Sequence, residues 1–287
     1  MSTADPREGP VPEDESHRGK DGTVGKALDV LDQVAAYGRP VRFTDVLSDS
    51  SYPKGTLYRL IQVLRSQGML DYDPQSQTYR LGGRLVRLAH AAWQQFSLAP
   101  LARPYLDHIS TETGLTVHLA QLDHGQVLYV DKRTPRAQVE MFSQAGKVGP
   151  AYCTGVGKAM LAYLGAEEAD HVIRLQSFHR HTAGTLTNAD ALVRELADIR
   201  TQGVSFDREE HEPGIICAAV PILDASEHVL GAVSVTGTTH HTTLTALEAH
   251  VPLLKSSAAA IAAEAQNWRF PSQSDTASRG EPCQELH

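Results

Sequence analysis

The amino-acid sequence predicts an α+β chain of two domains, and three observations carry that reading. Between Thr23 and Leu81, three stretches of helical periodicity are followed by two short strand-like runs. From Leu98 the pattern changes to helices mixed with longer strand-like segments. A chain of 287 residues, 41% hydrophobic and 21% charged, holds enough apolar material for two cores. Three helices and a hairpin make the first part a winged helix-turn-helix, and a linker helix joins it to the second.

Each element has a local signal. Residues 1–22 hold Pro6, Pro10 and Pro12 and the acids Glu13, Asp14 and Glu15, with little to pack, and are expected to form a disordered tail. Thr23 is the expected N-cap of a helix whose Val24, Ala27, Leu28, Leu31, Val34 and Ala35 share a face; Gly38 and Pro40 stop it. A short second helix runs from Thr44 to Leu47, and Asp49-Ser50-Ser51 makes a turn. Pro53 suits the first turn of a third helix. That helix buries Leu57, Leu60, Ile61 and Leu64 and turns Lys54, Tyr58, Gln62 and Arg65 outward. Gly68 ends it. Met69–Tyr72 and Gln77–Leu81, separated by Asp73-Pro74-Gln75-Ser76, read as a β-hairpin.

These limits give a winged helix-turn-helix over 23–83 and a linker helix over 84–97, striped by Leu85, Leu88, Ala89 and Ala92. The second domain covers 98–268. Its first helix carries Leu101, Tyr105, Leu106 and Ile109 and stops at Gly114. Strands are expected at 115–122 and 126–132 around a turn at His124-Gly125, then at 204–207, 215–223 and 229–236. Helices are expected near Gly155, over 167–175 and 188–202, and as one long element over 243–267. Residues 269–287 read as a second disordered tail.

Composition excludes several classes. No apolar run approaches the roughly 18 to 20 residues that cross a bilayer, and the N-terminus lacks the basic tip and apolar core of a secretory signal. The cysteines, Cys153, Cys217 and Cys283, are odd in number and far apart, so they offer neither a disulfide framework nor a metal clip. A reducing cytoplasm fits best. The histidine pairs at 179/181 and 240/241 have no acid or cysteine at ligand spacing, so no metal and no cofactor is expected.

The net charge of -8 argues against a chain coated in nucleic acid, but DNA affinity follows local charge. Between Arg39 and Arg65 the bases Arg39, Arg42, Lys54, Arg59 and Arg65 face only Asp45 and Asp49. A recognition helix presents its N-terminal side chains to base edges while neighbouring groups hold phosphates. The expected DNA-binding set is therefore Arg42, Thr44, Pro53, Lys54, Gly55, Thr56, Tyr58, Arg59 and Gln62, with Tyr79 and Arg80 as a polar grip on the wing.

The runs Ala27-Leu28-Asp29-Val30-Leu31, Tyr52-Pro53-Lys54-Gly55-Thr56-Leu57-Tyr58-Arg59-Leu60-Ile61 and Tyr79-Arg80-Leu81-Gly82 resemble the N-terminal module of IclR-family regulators. Gly55 departs from the small hydroxyl residue usual there and forfeits one phosphate contact. The later stretches Thr116–Ala120, Gly155–Ala159, Asp207–Gly214 and Gly231–Thr236 resemble the same family in order and spacing, so the likeness runs over 23–267. It implies a GAF-like effector-binding domain that also assembles homodimers or homotetramers, with a small organic acid as effector and a palindromic double-stranded operator as target. It also implies a pocket completed by Asp207, Cys217, Ser234 and Thr236.

The residues give part of that pocket independently. Thr154-Gly155-Val156-Gly157 opens a helix, where free N–H groups converge and glycines let a carboxylate approach; tight helix–sheet packing is the other reading of the same glycines. Ser234 and Thr236, two apart on a strand, share a face. A small anionic metabolite, a 2-oxo acid or a sugar acid, is the expected guest of Gly155, Val156, Asp207, Cys217, Ser234 and Thr236. Two rivals stay open: an enzyme using Cys217 or Cys153 as nucleophile, and a DNA-binding scaffold without a ligand. The sequence shows no nucleophile elbow, phosphate loop or dinucleotide fingerprint, so the expectation is a regulator and not an enzyme.

Overall fold

The computed structural model describes residues 22–96, 98–135, 141 and 143–267. Apart from Gly22, both expected tails lie outside the described residues. The chain divides into two compact units that meet at Gln95 and Phe96.

The first unit comprises α1 (Thr23–Ala36), β1 (Val41–Arg42), α2 (Phe43–Ser48), α3 (Lys54–Ser66), β2 (Leu70–Asp73), β3 (Thr78–Leu81) and α4 (Gly83–Phe96). Its three strands pair antiparallel in the order β1-β3-β2. Leu57, Leu60, Ile61 and Leu64 of α3 are buried, as the period predicts, against Val30, Leu31 and Val34 of α1. The buried face of α1 is rotated from the expected one, because Val24 and Leu28 are exposed. Gly22, not Thr23, holds the N-cap, and Pro53 caps α3 instead of entering it. Along α4, Leu85 is half-buried and Leu88 is exposed, so the expected stripe is only partly covered within this unit.

Close backbone approach fixes the wing. Gly68 ends α3 at a φ of +68°, and a Cβ on Gly82 would lie 2.3 Å from the Gly68 carbonyl oxygen. The Gly82 N–H donates to the Met69 carbonyl at 2.8 Å, which locks β3 beside the end of α3.

The second unit comprises α5 (Ala99–Thr113), β4 (Thr116–Asp123), β5 (Gln126–Arg133), β6 (Val148–Gly149), α6 (Gly155–Leu161), α7 (Ala166–Arg174), α8 (Ala189–Gln202), β7 (Ser205–Arg208), β8 (Ile215–Leu223), β9 (Val229–Thr238), α9 (Leu244–Glu248) and α10 (Val251–Asn267). The strands form one antiparallel sheet in the order β6-β5-β4-β9-β8-β7. His124 (φ +48°) and Gly125 (φ +77°) make the tight turn between β4 and β5. The α+β fold class holds. The expected long C-terminal helix is instead two, α9 and α10, with Pro252 in the first turn of the second.

Alternation along the strands sorts the sheet into two faces. Val117, Leu119, Val233, Val235, Ala218 and Val220 are buried on the side where α5 and α10 pack. Ala120, Ala232, Ala219 and Tyr129 join a second core with α6 and α8, built on Tyr152, Met160, Leu161, Leu192 and Ile199. Polar side chains are gathered on this second face.

The close contact at Gly82 has a direct consequence. Gly82→Ala should lower stability by about 1–3 kcal/mol, the usual range for forced overpacking, measured as a fall in the urea midpoint of the unfolding transition that involves the first unit. An unchanged midpoint would show that the wing does not depend on that approach.

Candidate nucleic-acid interface and ligand cavity

The helix-turn-helix presents most of the expected DNA-binding residues on its surface. Arg42, Thr44, Pro53, Lys54, Gly55, Tyr58, Arg59 and Arg80 are exposed, while Thr56 and Gln62 are half-buried. The Tyr58 ring meets Phe43 of α2 edge-on at 6.0 Å, which props it outward at the start of α3. The Arg65 guanidinium lies over the Tyr72 ring, 5.1 Å from its centre, and so stands between helix and wing. Arg80 is exposed beside Asp71, 3.7 Å away.

Tyr79 is a correction. Its expected place on the wing surface is not where the structure puts it, because it is only 6% exposed and belongs to the core. Alternation explains the difference: Arg80 points out, so Tyr79 points in, where it stacks on Tyr72 with ring centres 4.8 Å apart.

In the second unit, all six expected effector residues line one cavity. Gly155, Val156, Asp207, Cys217, Ser234 and Thr236 surround a small cavity of about 30 Å³ that is partly open to solvent. Strand register brings them together. Asp207 on β7 pairs with Cys217 on β8, which pairs with Thr236 on β9. In the parallel row, Ser234 lies between Ala219 and His118, and His118 lies opposite Lys132 on β5. Residues far apart in sequence thus become neighbours on one face.

The glycines of α6 are required for packing. A Cβ on Gly155 would lie 2.3 Å from Cys217 Sγ, and one on Gly157 would lie 2.4 Å from the Ala151 carbonyl oxygen. The helix therefore presses onto the sheet, and Gly155 serves that contact and the cavity wall at once. Thr154 donates its hydroxyl back to the Pro150 carbonyl at 2.8 Å instead of capping α6, so the first-turn N–H groups are not satisfied by their own cap. Lys158, fully buried, anchors the helix through Glu210 at 2.5 Å and Glu195 at 2.9 Å.

The sequence did not single out His118, Tyr129, Ser143 or Glu212, which also line the cavity. His118 was legible in principle, since it lies in the stretch Thr116–Ala120 at a position sharing a face with Thr116. Ser143 carries no periodic signal. Its place is fixed by contact: its carbonyl accepts from Lys132 Nζ at 2.8 Å, and its hydroxyl meets His118 Nε2 at 2.7 Å.

The electrostatics of the cavity favour neutral groups. Burial pushes the Asp207 carboxyl up to about 7, against the pull of the Glu210 N–H, which donates to Asp207 Oδ1 at 2.8 Å. Burial pushes the His118 imidazole down to about 3, with the Lys132 ammonium adding to the effect. Burial also pushes the Cys153 thiol up to about 12 and the Cys217 thiol well above its ordinary value. Both thiols therefore stay protonated, the wrong state for a nucleophile. Among the described residues, no group of three or more His, Cys, Asp or Glu side chains is placed to hold a metal ion.

Asp207 should leave a mark on stability. Its carboxyl ordinarily titrates near 3.8 and here near 7, so its contribution is full below the lower value and is lost as pH rises through the upper one. Asp207→Asn keeps an acceptor for the Glu210 N–H and removes the titration. The variant's unfolding midpoint should therefore gain on wild type as pH rises between about 4 and 7. Parallel midpoint curves would place the Asp207 carboxyl at its ordinary value.

Comparison with known proteins covers both units. Residues 23–74 match the IclR helix-turn-helix domain, and residues 90–263 match the C-terminal domain of bacterial transcriptional regulator IclR. The Escherichia coli HTH-type transcriptional regulator XynR is 31% identical over 212 residues, spanning 74% of this chain and 84% of that one. The E. coli regulator KdgR is 29% identical over 251 residues, 87% of this chain and 95% of its own. The crystal structure of the Thermotoga maritima IclR superposes with a TM-score of 0.70 at 28% identity, covering 84% of this chain and 98% of that one.

Proposed function

Because this chain belongs to the IclR family of DNA-binding transcriptional regulators, we propose that a small organic acid, a 2-oxo acid or a sugar acid, enters the cavity and changes its binding to a palindromic operator. The carrying observation is that register and packing bring Gly155, Val156, Asp207, Cys217, Ser234 and Thr236 around one cavity. The hydroxyls of Ser234 and Thr236, together with Asp207 where it is protonated, are donors that suit a carboxylate and a second oxygen. Hydrogen bonds to a charged group contribute about 1.5–3 kcal/mol each, so neutral donors suffice to hold an anion there.

The protein acts as a homodimer or homotetramer, since one winged module offers few phosphate contacts and paired modules match the two halves of a palindrome. No described helix is long and apolar enough to cross a membrane, and we place the regulator in the cytoplasm with its DNA. Lys54, Gly55, Thr56, Tyr58 and Gln62 form the base-reading and positioning end of α3, which Pro53 starts without a donor of its own; Arg42, Thr44, Arg59 and Arg80 hold phosphate. Protonated thiols disfavour the cysteine enzyme, and the cavity disfavours a scaffold that ignores ligands.

Two outcomes follow. Replacing both Ser234 and Thr236 by alanine should weaken acid binding about tenfold or more and leave operator affinity intact. Calorimetric titration with glyoxylate, pyruvate and a sugar acid checks this; a double variant that titrates like wild type, or binding of apolar or cationic compounds alone, contradicts the site. Arg59→Ala should weaken binding to every DNA sequence alike and lower the log–log salt slope by about 0.9. An altered base preference at unchanged slope would make Arg59 a base reader.

A further inference from the structure

We infer that His118 is a specificity-determining residue: bridging Ser143 and Thr236, it fixes Thr236 as a hydrogen-bond donor to the ligand and so selects a keto oxygen over a hydroxyl. The inference deepens the effector reading above and rests on it for the ligand. His118 is 3% exposed, and both of its ring nitrogens face hydroxyl oxygens, Nδ1 at 3.2 Å from Thr236 Oγ1 and Nε2 at 2.7 Å from Ser143 Oγ. Tyr129 closes the ring edge-on at 5.6 Å between centres.

Hydrogen counting does the selecting. A neutral imidazole has one N–H and one lone pair. One hydroxyl must therefore donate to the ring, and the other must accept from it. The donor to the ring has spent its hydrogen and shows the cavity only lone pairs; the acceptor keeps its hydrogen for the ligand. Burial holds the ring neutral, far below the ordinary histidine range, so a doubly protonated ring does not upset the count.

The two distances choose the tautomer. Hydroxyl donors sit closer to their acceptors than N–H donors do, so the 2.7 Å contact has Ser143 donating to Nε2 and the 3.2 Å contact has Nδ1–H donating to Thr236. Thr236 then offers its hydrogen to the cavity. Asp207, in the same row of the sheet beyond Cys217, is also a donor when protonated. Two donors lining the cavity along that row suit the lone pairs of a carbonyl oxygen. An alcohol there brings a hydrogen of its own to a place already supplied with donors. The lone pairs left on Ser143, fixed by Lys132 at its carbonyl, are the acceptor side of the same relay.

The test has a part that needs no ligand. In full-length protein labelled with 15N-histidine, the His118 ring, assigned by its loss in His118→Asn, should show a single Nδ1–H tautomer between about pH 5.5 and 8. An Nε2–H tautomer, or a ring that titrates in that range, overturns the inference. In the second part, calorimetry compares pyruvate with lactate. Wild type should prefer pyruvate by about tenfold, the effect of one hydrogen bond. His118→Asn, which keeps a donor toward Thr236, should retain the preference, and His118→Leu should lose it. An equal preference in His118→Leu overturns the inference. If neither acid, nor any other anion, binds while the ring shows the Nδ1–H tautomer, the effector reading falls and the relay stands. If an acid binds to a protein whose ring is Nε2–H, the relay falls and the effector reading stands.

Discussion

The second unit depends on one close approach, that of Gly155 to Cys217. With only a hydrogen at Gly155, α6 comes down on β8 until no Cβ fits between them. Two residues on, Gly157 makes a second close approach, to the Ala151 carbonyl. The buried Lys158 head then ties the helix to Glu210 beside β7 and to Glu195 on α8. Removing one partner of such a buried pair typically costs about 3–5 kcal/mol, so α6 is held by packing on one side and by charge on the other. Its N-terminal end forms part of the cavity wall because the helix cannot move outward without breaking both.

That placement gives the polar face of the sheet something to do. Thr116, His118, Ser234 and Thr236 occupy strand positions that alternate with valines and leucines, on a face that also carries Ala120, Val127, Tyr129, Cys217, Ala219 and Ala232. Buried hydroxyls and imidazoles cost stability unless each finds a partner. His118 supplies partners to two of them, while Ser234 faces the cavity. Asp207 sits in the same row, kept partly protonated by the burial that makes the cavity. A sheet optimised only for stability would carry apolar residues at these positions, and proteins commonly give up stability at a binding site.

Much of this was legible in the sequence, for identifiable reasons. Alternation over β4, β8 and β9 is long enough to give the strands and to put Ser234 and Thr236 on one face, and helical period gives the buried side of α3. The two-residue strands β1 and β6 are too short for any pattern, so register alone reveals them. On α1 the apolar residues spread over more than one face, and packing against α3 decided which was buried. Tyr79 reads as polar from its hydroxyl, but its place next to the outward Arg80 sends it inward. The residues completing the cavity divide the same way: His118 lies in a regular strand, whereas Ser143 sits in a stretch whose position follows only from tertiary contact.

The most direct test of the account is a double-mutant cycle on Gly155 and Cys217. Gly155→Ala alone should destabilise the protein and weaken binding of a small acid, since the new Cβ forces α6 off the sheet. Adding Cys217→Ala removes the sulfur it meets. Unfolding free energies from urea titration should then show the second substitution recovering part of the loss, with a coupling of about 1–3 kcal/mol, and acid affinity should recover with it. If the two substitutions simply add, α6 is not held by that contact, and the cavity needs another explanation.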